Sequence, residues 1–93
     1  MRTTVVESAV LGDVIIAGLR MSQRFSLLEA ASKDDKMAIM EMLHLCVVDD
    51  AGAPLKTFDE WDEFGGDHFE DALMLFRECK DFNDFSGKKA EKK

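Results

Sequence analysis

Several residue types in this chain are able to do chemistry, so their spacing is the first test. His44 and Cys46, with His68 and Cys79 further along, are the side-chain types that bind zinc. No CxxC or HxxxH spacing accompanies them. Two side chains two positions apart on a helix point about 200° away from each other, so His44 and Cys46 do not converge on one ion. Both cysteines read instead as small buried hydrophobes on helix faces. Asp49 to Glu60 spans the length of a calcium loop. Ala51 and Ala53 occupy ligand positions there, and Pro54 stands where a sharp turn demands glycine. No metal or cofactor is therefore expected.

Asp59, Glu60, Asp62 and Glu63 flank Trp61 and Phe64. Paired carboxylates perform acid–base catalysis when one of them is desolvated. Neighbouring acids on a short helix more simply form a solvated face, with Trp61 as a core or interface anchor. Ser22, Ser26 and Ser32 have no histidine near them in sequence. No GxSxG, Walker or GxGxxG string occurs, and Gly65-Gly66 reads as a helix stop rather than a phosphate loop. No catalytic residue is assigned, and the chain does not read as an enzyme.

The elements that carry these residues follow from periodicity and turn chemistry. Val5, Val6, Val10 and Leu11, then Val14, Ile15, Ile16 and Leu19, suggest a β-hairpin across residues 4–19 turning at Gly12-Asp13, with Gly18 ending the second strand and a single strand as the alternative. Ser22 is placed to cap a helix over 23–32 whose inner face is Phe25, Leu28 and Ala31. Lys33-Asp34-Asp35 breaks that helix and gives the next, over about 35–48, an acidic first turn. Met37, Met40, Leu43 or His44, and Val47 form one stripe on it, and Ile39, Met42 and Cys46 a second. Asp49 to Pro54 is a turn, with Gly52 suited to a left-handed conformation. Thr57-x-x-Glu60 has capping-box spacing for a helix over 58–64. Asp67-x-x-Glu70 repeats that spacing before a helix over 68–82. Its stripe is Phe69, Ala72 or Leu73, Phe76, and Cys79 or Lys80, with Met74, Leu75 and Phe82 beside it. The expected fold is mainly α: a small helical domain of about four helices with a short N-terminal β-hairpin. Residues 1–85 form a single domain, and 86–93 a flexible basic tail.

Ninety-three residues leave room for one small core and disfavour a large α/β enzyme scaffold. Twelve basic residues against nineteen acidic ones give a net charge of −7. That balance disfavours binding to nucleic acid or to anionic membrane. The acids concentrate in residues 50–85, whereas the last six residues are basic. Two cysteines and no apolar leader suggest a cytoplasmic protein with reduced thiols. What remains is surplus apolar surface. A chain this small hardly buries both stripes of its Met-rich helix. Met37, Ile39, Met40 and Leu43, together with Met74 and Leu75, are the candidate partner-binding residues.

The string Leu43-His44-Leu45-Cys46-Val47-Val48-Asp49-Asp50-Ala51-Gly52-Ala53-Pro54-Leu55, followed by Glu60-Trp61, resembles the tail assembly chaperones of long-tailed bacteriophages with non-contractile tails. Val14 to Leu19 and a following short helix with Arg24 add to the resemblance, which covers roughly residues 14–80. The resemblance implies a small, mainly helical protein in the host cytoplasm, absent from the mature virion. It would coat the tape measure protein before the tail tube polymerises, and would self-associate into a spiral or oligomer. A longer form made by ribosomal frameshifting would recruit the tail tube protein. Gly87-Lys88-Lys89 is compatible with a purine-rich slippery run, although an ordinary basic tail is the favoured reading of the protein sequence. A competing reading is a small acidic inhibitor or DNA mimic that uses Asp59 to Asp84 to fill the basic groove of a nucleic-acid enzyme.

Overall fold

A computed structural model describes residues 2–83. Its elements are β1 (Thr3–Ser8), β2 (Gly12–Ala17), α1 (Met21–Lys33), α2 (Asp35–Cys46), β3 (Val47–Val48), α3 (Phe58–Asp67) and α4 (Phe69–Phe82). The mainly helical architecture with an N-terminal hairpin is the one expected. The proposed tail over 86–93 and the glycine–lysine run lie outside the described residues.

The β1–β2 hairpin pairs Thr3 with Ala17 and Ser8 with Gly12. The turn falls on Ala9–Leu11 rather than on Gly12-Asp13, because Ser8 organises it. Its hydroxyl accepts from the backbone N–H groups of Val10 and Leu11, at 3.2 and 2.9 Å. Gly12 then supplies a φ of +79°, a left-handed conformation that costs glycine little. Alternation places Val14 and Ile16 inward, while Val5 faces solvent.

Helix α1 runs three residues beyond the expected limits in sum, and it is capped differently. Ser22 lies inside it. The cap position is Arg20, whose N–H donates to Gln23 Oε1 at 2.8 Å. Its inner face also differs from the expected Phe25–Leu28–Ala31 stripe. Leu27 is the buried residue, whereas Phe25 and Leu28 are more than 60% exposed. The cause lies far along the chain: Arg24 donates to the carbonyl of Asn83 at 2.8 Å, which turns the Arg24–Leu27 side inward. Asp34 ends α1 and caps α2 by accepting from Lys36 N at 2.9 Å.

The end of α2 was expected near residue 48 but lies at Cys46. Val47 and Val48 leave the helix and pair antiparallel with Ile16 and Ile15, completing a three-stranded sheet in the order β1-β2-β3. Two β-branched residues beside an unpaired strand edge gain more from the sheet than from a last helical turn. Asp49 then closes a tight loop. Its Oδ1 accepts from Ala51 N and Ala53 N, at 2.9 and 3.0 Å. Gly52 takes a φ of +87°, and Leu55 N returns to Val47 O at 3.0 Å.

The Thr57 capping box forms as its spacing predicts. Glu60 N donates to Thr57 Oγ1 at 3.1 Å, and Thr57 N donates to Glu60 Oε1 at 2.8 Å. Gly65-Gly66 does not stop α3, which continues to Asp67. Each helical glycine costs roughly 1 kcal/mol against alanine, which tertiary packing readily offsets. Nor does Asp67 cap α4. His68 stands between the two helices, closing α3 through His68 N to Phe64 O at 2.7 Å and accepting from Ala72 N at 3.0 Å.

The core cluster takes Val14, Ile16 and Val47 from the sheet, Leu27 from α1, Met42, Leu43 and Cys46 from α2, Trp61 and Phe64 from α3, and Ala72, Leu75 and Cys79 from α4. Helices α2 and α4 cover the inner face of the sheet, α3 packs on both of them, and α1 packs on α2. The buried line of α4 is Ala72–Leu75–Cys79, so Leu75 replaces the expected Phe76, and Phe69 is exposed.

Candidate functional site

Helices α2, α3 and α4 enclose an apolar groove of about 490 Å³. Its walls follow from helical spacing. Lys36, Ile39, Met40 and Leu43 lie on one side of α2, and Asp62, Gly65 and Gly66 on one side of α3. Phe69, Ala72 and Leu73 complete it from α4. The two glycines that fail to end α3 therefore form part of the groove lining, where any side chain would narrow it. No heavy atom approaches within 4 Å of a Cβ built on Gly66, so the space beside it is open. Phe69 is 64% exposed at one edge. Lys36 marks the α2 lip and Asp62 the α3 lip.

Three of the six residues expected to bind a partner line this groove: Ile39, Met40 and Leu43. Ile39 and Met40 are half-buried, whereas Leu43 is 2% exposed and belongs to the core as well. Leu75 is fully enclosed in the core. Met37 is exposed and Met74 is half-buried against the core, and neither lines the groove. Sequence reasoning missed Phe69 and Leu73 as groove residues because both were placed in the core stripe of α4. Gly65 and Gly66 were missed because a glycine pair at the end of the expected 58–64 helix reads as a stop.

Trp61 is 1% exposed and also lines the groove. Its ring meets Phe64 edge-on, with centroids 5.4 Å apart. Lys56 Nζ sits over both rings, 5.9 Å from Trp61 and 5.3 Å from Phe64, where their electron-rich faces attract a cation. The indole Nε1–H is buried and has no hydrogen-bond partner among the described residues. Leaving such a donor unpaired costs on the order of 1–3 kcal/mol.

The groups weighed for catalysis are arranged differently. Cys46 and Cys79 are both free, both buried and close enough to interact. Hydrogen bonding to Cys46 and burial push the Cys79 thiol far above its ordinary range, which disfavours the nucleophilic thiolate. His44 Nδ1 lies 3.3 Å from the carbonyl of Lys56. Among the described residues, no three His, Cys, Asp or Glu side chains converge in a way that would hold a metal ion. Asp49, at the head of the calcium-loop-length segment, spends its carboxylate on its own loop. Asp59, Glu60, Asp62 and Glu63 all face solvent. No described helix is long and apolar enough to cross a membrane.

Asp71 has a structural role that its acidic surroundings hid. It accepts from the Ser8 hydroxyl and from Ala9 N, the latter at 3.2 Å, and so ties the hairpin turn to α4. A second tie is buried. The Asn83 side chain accepts from Leu19 N at 2.7 Å and donates to Ala17 O and Cys79 O at 3.3 and 3.0 Å.

Compared with known proteins, the chain matches no family model, no curated protein and no solved structure.

Proposed function

We propose that this protein is a tail assembly chaperone of a long-tailed bacteriophage, acting by non-covalent capture of an amphipathic helix from the tape measure protein. The observation that carries the reading is the open groove between α2, α3 and α4, lined by Ile39, Met40, Leu43, Phe69 and Leu73. A helix laid in such a groove buries one apolar stripe, anchored at positions one turn apart. Methionine is unbranched and polarizable, so Met40 adapts to differing anchors. The exposed acids of α3 and α4 keep a complex with an aggregation-prone client in solution. The resemblance of residues 43–61 to the chaperone family names the client. In this reading a frameshifted longer form recruits the tail tube protein, and the chaperone stays behind in the host cytoplasm.

Co-expression with the tape measure protein encoded in the same tail gene cluster tests the reading. The client is expected to stay soluble and to co-purify, and the complex to persist in high salt, because apolar burial drives it. Phe69→Asp is expected to lose the client while keeping its helical circular dichroism. A client that is equally soluble without this protein overturns the proposal. So does a complex formed only with a basic nucleic-acid enzyme and dissolved by salt, the behaviour of an acidic mimic.

A further inference from the structure

The outer face of the sheet, opposite α2 and α4, carries a second apolar surface. Val5 on β1 stands directly opposite Ile15 on β2, and Ile15 directly opposite Val48 on β3. Directly opposed residues share a face of the sheet, so the three form one row across all the strands. None of them belongs to the core cluster, which takes Val14, Ile16 and Val47 from the inner face. Leu55, 39% exposed, stands beyond Val48, where the returning loop bonds Leu55 N to Val47 O at 3.0 Å. The row and Leu55 line an open cavity of about 570 Å³. At the β1 end of the row, Val5 is 62% exposed.

Acids flank one side of this row. Glu7 and Asp13, two positions from Val5 and Ile15, also stand directly opposite each other, and both are exposed. Like charges in that arrangement repel, so the hairpin carries the pair at a cost to itself. Asp50, exposed and two positions past Val48, lines the same cavity as Asp13. The base in the lining is Lys56, and its Nζ sits over the Trp61 and Phe64 rings instead. On the other side of the row the opposed residues are Thr3 and Ala17, which carry no charge.

We infer that the outer sheet face docks a helix of a partner protein, one whose apolar stripe is flanked on one side by lysine or arginine. From Val5 to Val48 is two strand spacings, about 10 Å, which is the length of two helical turns. Apolar anchors one turn apart therefore meet the row, and the cationic flank meets Glu7, Asp13 and Asp50. A cation held there also relieves the repulsion between Glu7 and Asp13. The same acids repel phosphate backbones and anionic lipid, which leaves a protein as the occupant. The surface shares no lining residue with the α2–α3–α4 groove. It goes beyond the proposed function, and its test needs no tape measure protein.

The test uses the full-length chain and two synthetic helical peptides with the same apolar stripe. One carries lysines along one flank, the other glutamates. The lysine peptide is expected to shift the NMR resonances of Val5, Ile15 and Val48, and to bind more weakly as salt is added. The glutamate peptide is expected to leave them in place. Asp13→Lys puts a base opposite Glu7, so its melting temperature should hold or rise while the lysine peptide binds roughly fivefold more weakly. Val5→Thr, which keeps a β-branched side chain but breaks the apolar row, should weaken binding too. Circular dichroism matching the wild type shows that both variants fold. Equal binding of the two peptides, or full binding by Asp13→Lys, overturns the inference. So does a lysine peptide that fails to bind, or that moves Ile39, Met40 and Leu73 in the groove instead. Shifts at Val5 and Ile15 that appear on concentrating the protein without peptide overturn it as well, because a second copy then covers the face.

Discussion

The corner around Asn83 and the groove beneath Phe69 both depend on α4, and they are built in opposite ways. At the corner, one buried amide meets the end of β2, the start of α1 and the end of α4, and both its oxygen and its nitrogen find partners. Arg24 adds a bond to the Asn83 backbone carbonyl. In the groove, Phe69 is exposed, Leu73 is half-buried, and the Trp61 N–H has no acceptor among the described residues. Hydrogen bonds hold at one geometry, so a fully matched amide fixes how the hairpin, α1 and α4 meet. Apolar contact tolerates many geometries, and the open apolar groove leaves its surface accessible. The molecule is specified at one place and adaptable at the other.

The largest effect should separate the floor of the groove from its walls. Leu43→Ala is expected to destabilise the fold by about 3 kcal/mol, because it leaves a cavity in the core. Met40→Ala, on the half-buried wall, should cost under about 1 kcal/mol. Urea unfolding with a shared slope checks both, and equal losses would erase the distinction between floor and wall.

Next comes the corner. Asn83→Ala strips the partners from Leu19 N and Ala17 O, and is expected to cost about 2 kcal/mol. Hydrogen exchange should then show the N-terminal residues of α1 and the C-terminal end of β2 opening before the α2–α4 pair. Uniform protection throughout would show that the corner does not direct docking.

The smallest effect has the opposite sign. Gly66→Ala adds a methyl group into open space on a helix, and is expected to stabilise the fold by about 0.7 kcal/mol. The same methyl group narrows the groove, so client retention should weaken while the melting temperature rises. Unchanged retention would exclude the Gly66 side of the groove from binding.

Local signals were legible in the sequence wherever the physics is local. The Thr57–Glu60 capping box, the helix break at Lys33-Asp34-Asp35 and the left-handed Gly52 each depend on a few neighbouring residues, and each forms as its spacing predicts. Three of the six candidate contact residues also converge on one groove, since a double apolar stripe on α2 already exceeded what a small core needs. The errors share a different cause. The Ala9–Leu11 turn is set by Ser8, which Asp71 on α4 grips. The end of α2 is set by the free edge of β2.

The sequence by itself determined a hairpin of β-branched residues, four helices and more apolar surface than a small core needs, while β3 and the break between α3 and α4 came from the tertiary structure. Periodicity, caps and turn residues act within a few positions, so they are written in order along the chain. Only the tertiary structure decided which stripe of each helix turned inward. Phe25 and Leu28 are as apolar as Leu27, and Phe76 as apolar as Leu75. The choice fell to partners 50 or more positions away, such as Asn83 for Arg24, because burial depends on what arrives from elsewhere in the chain and not on the stripe alone.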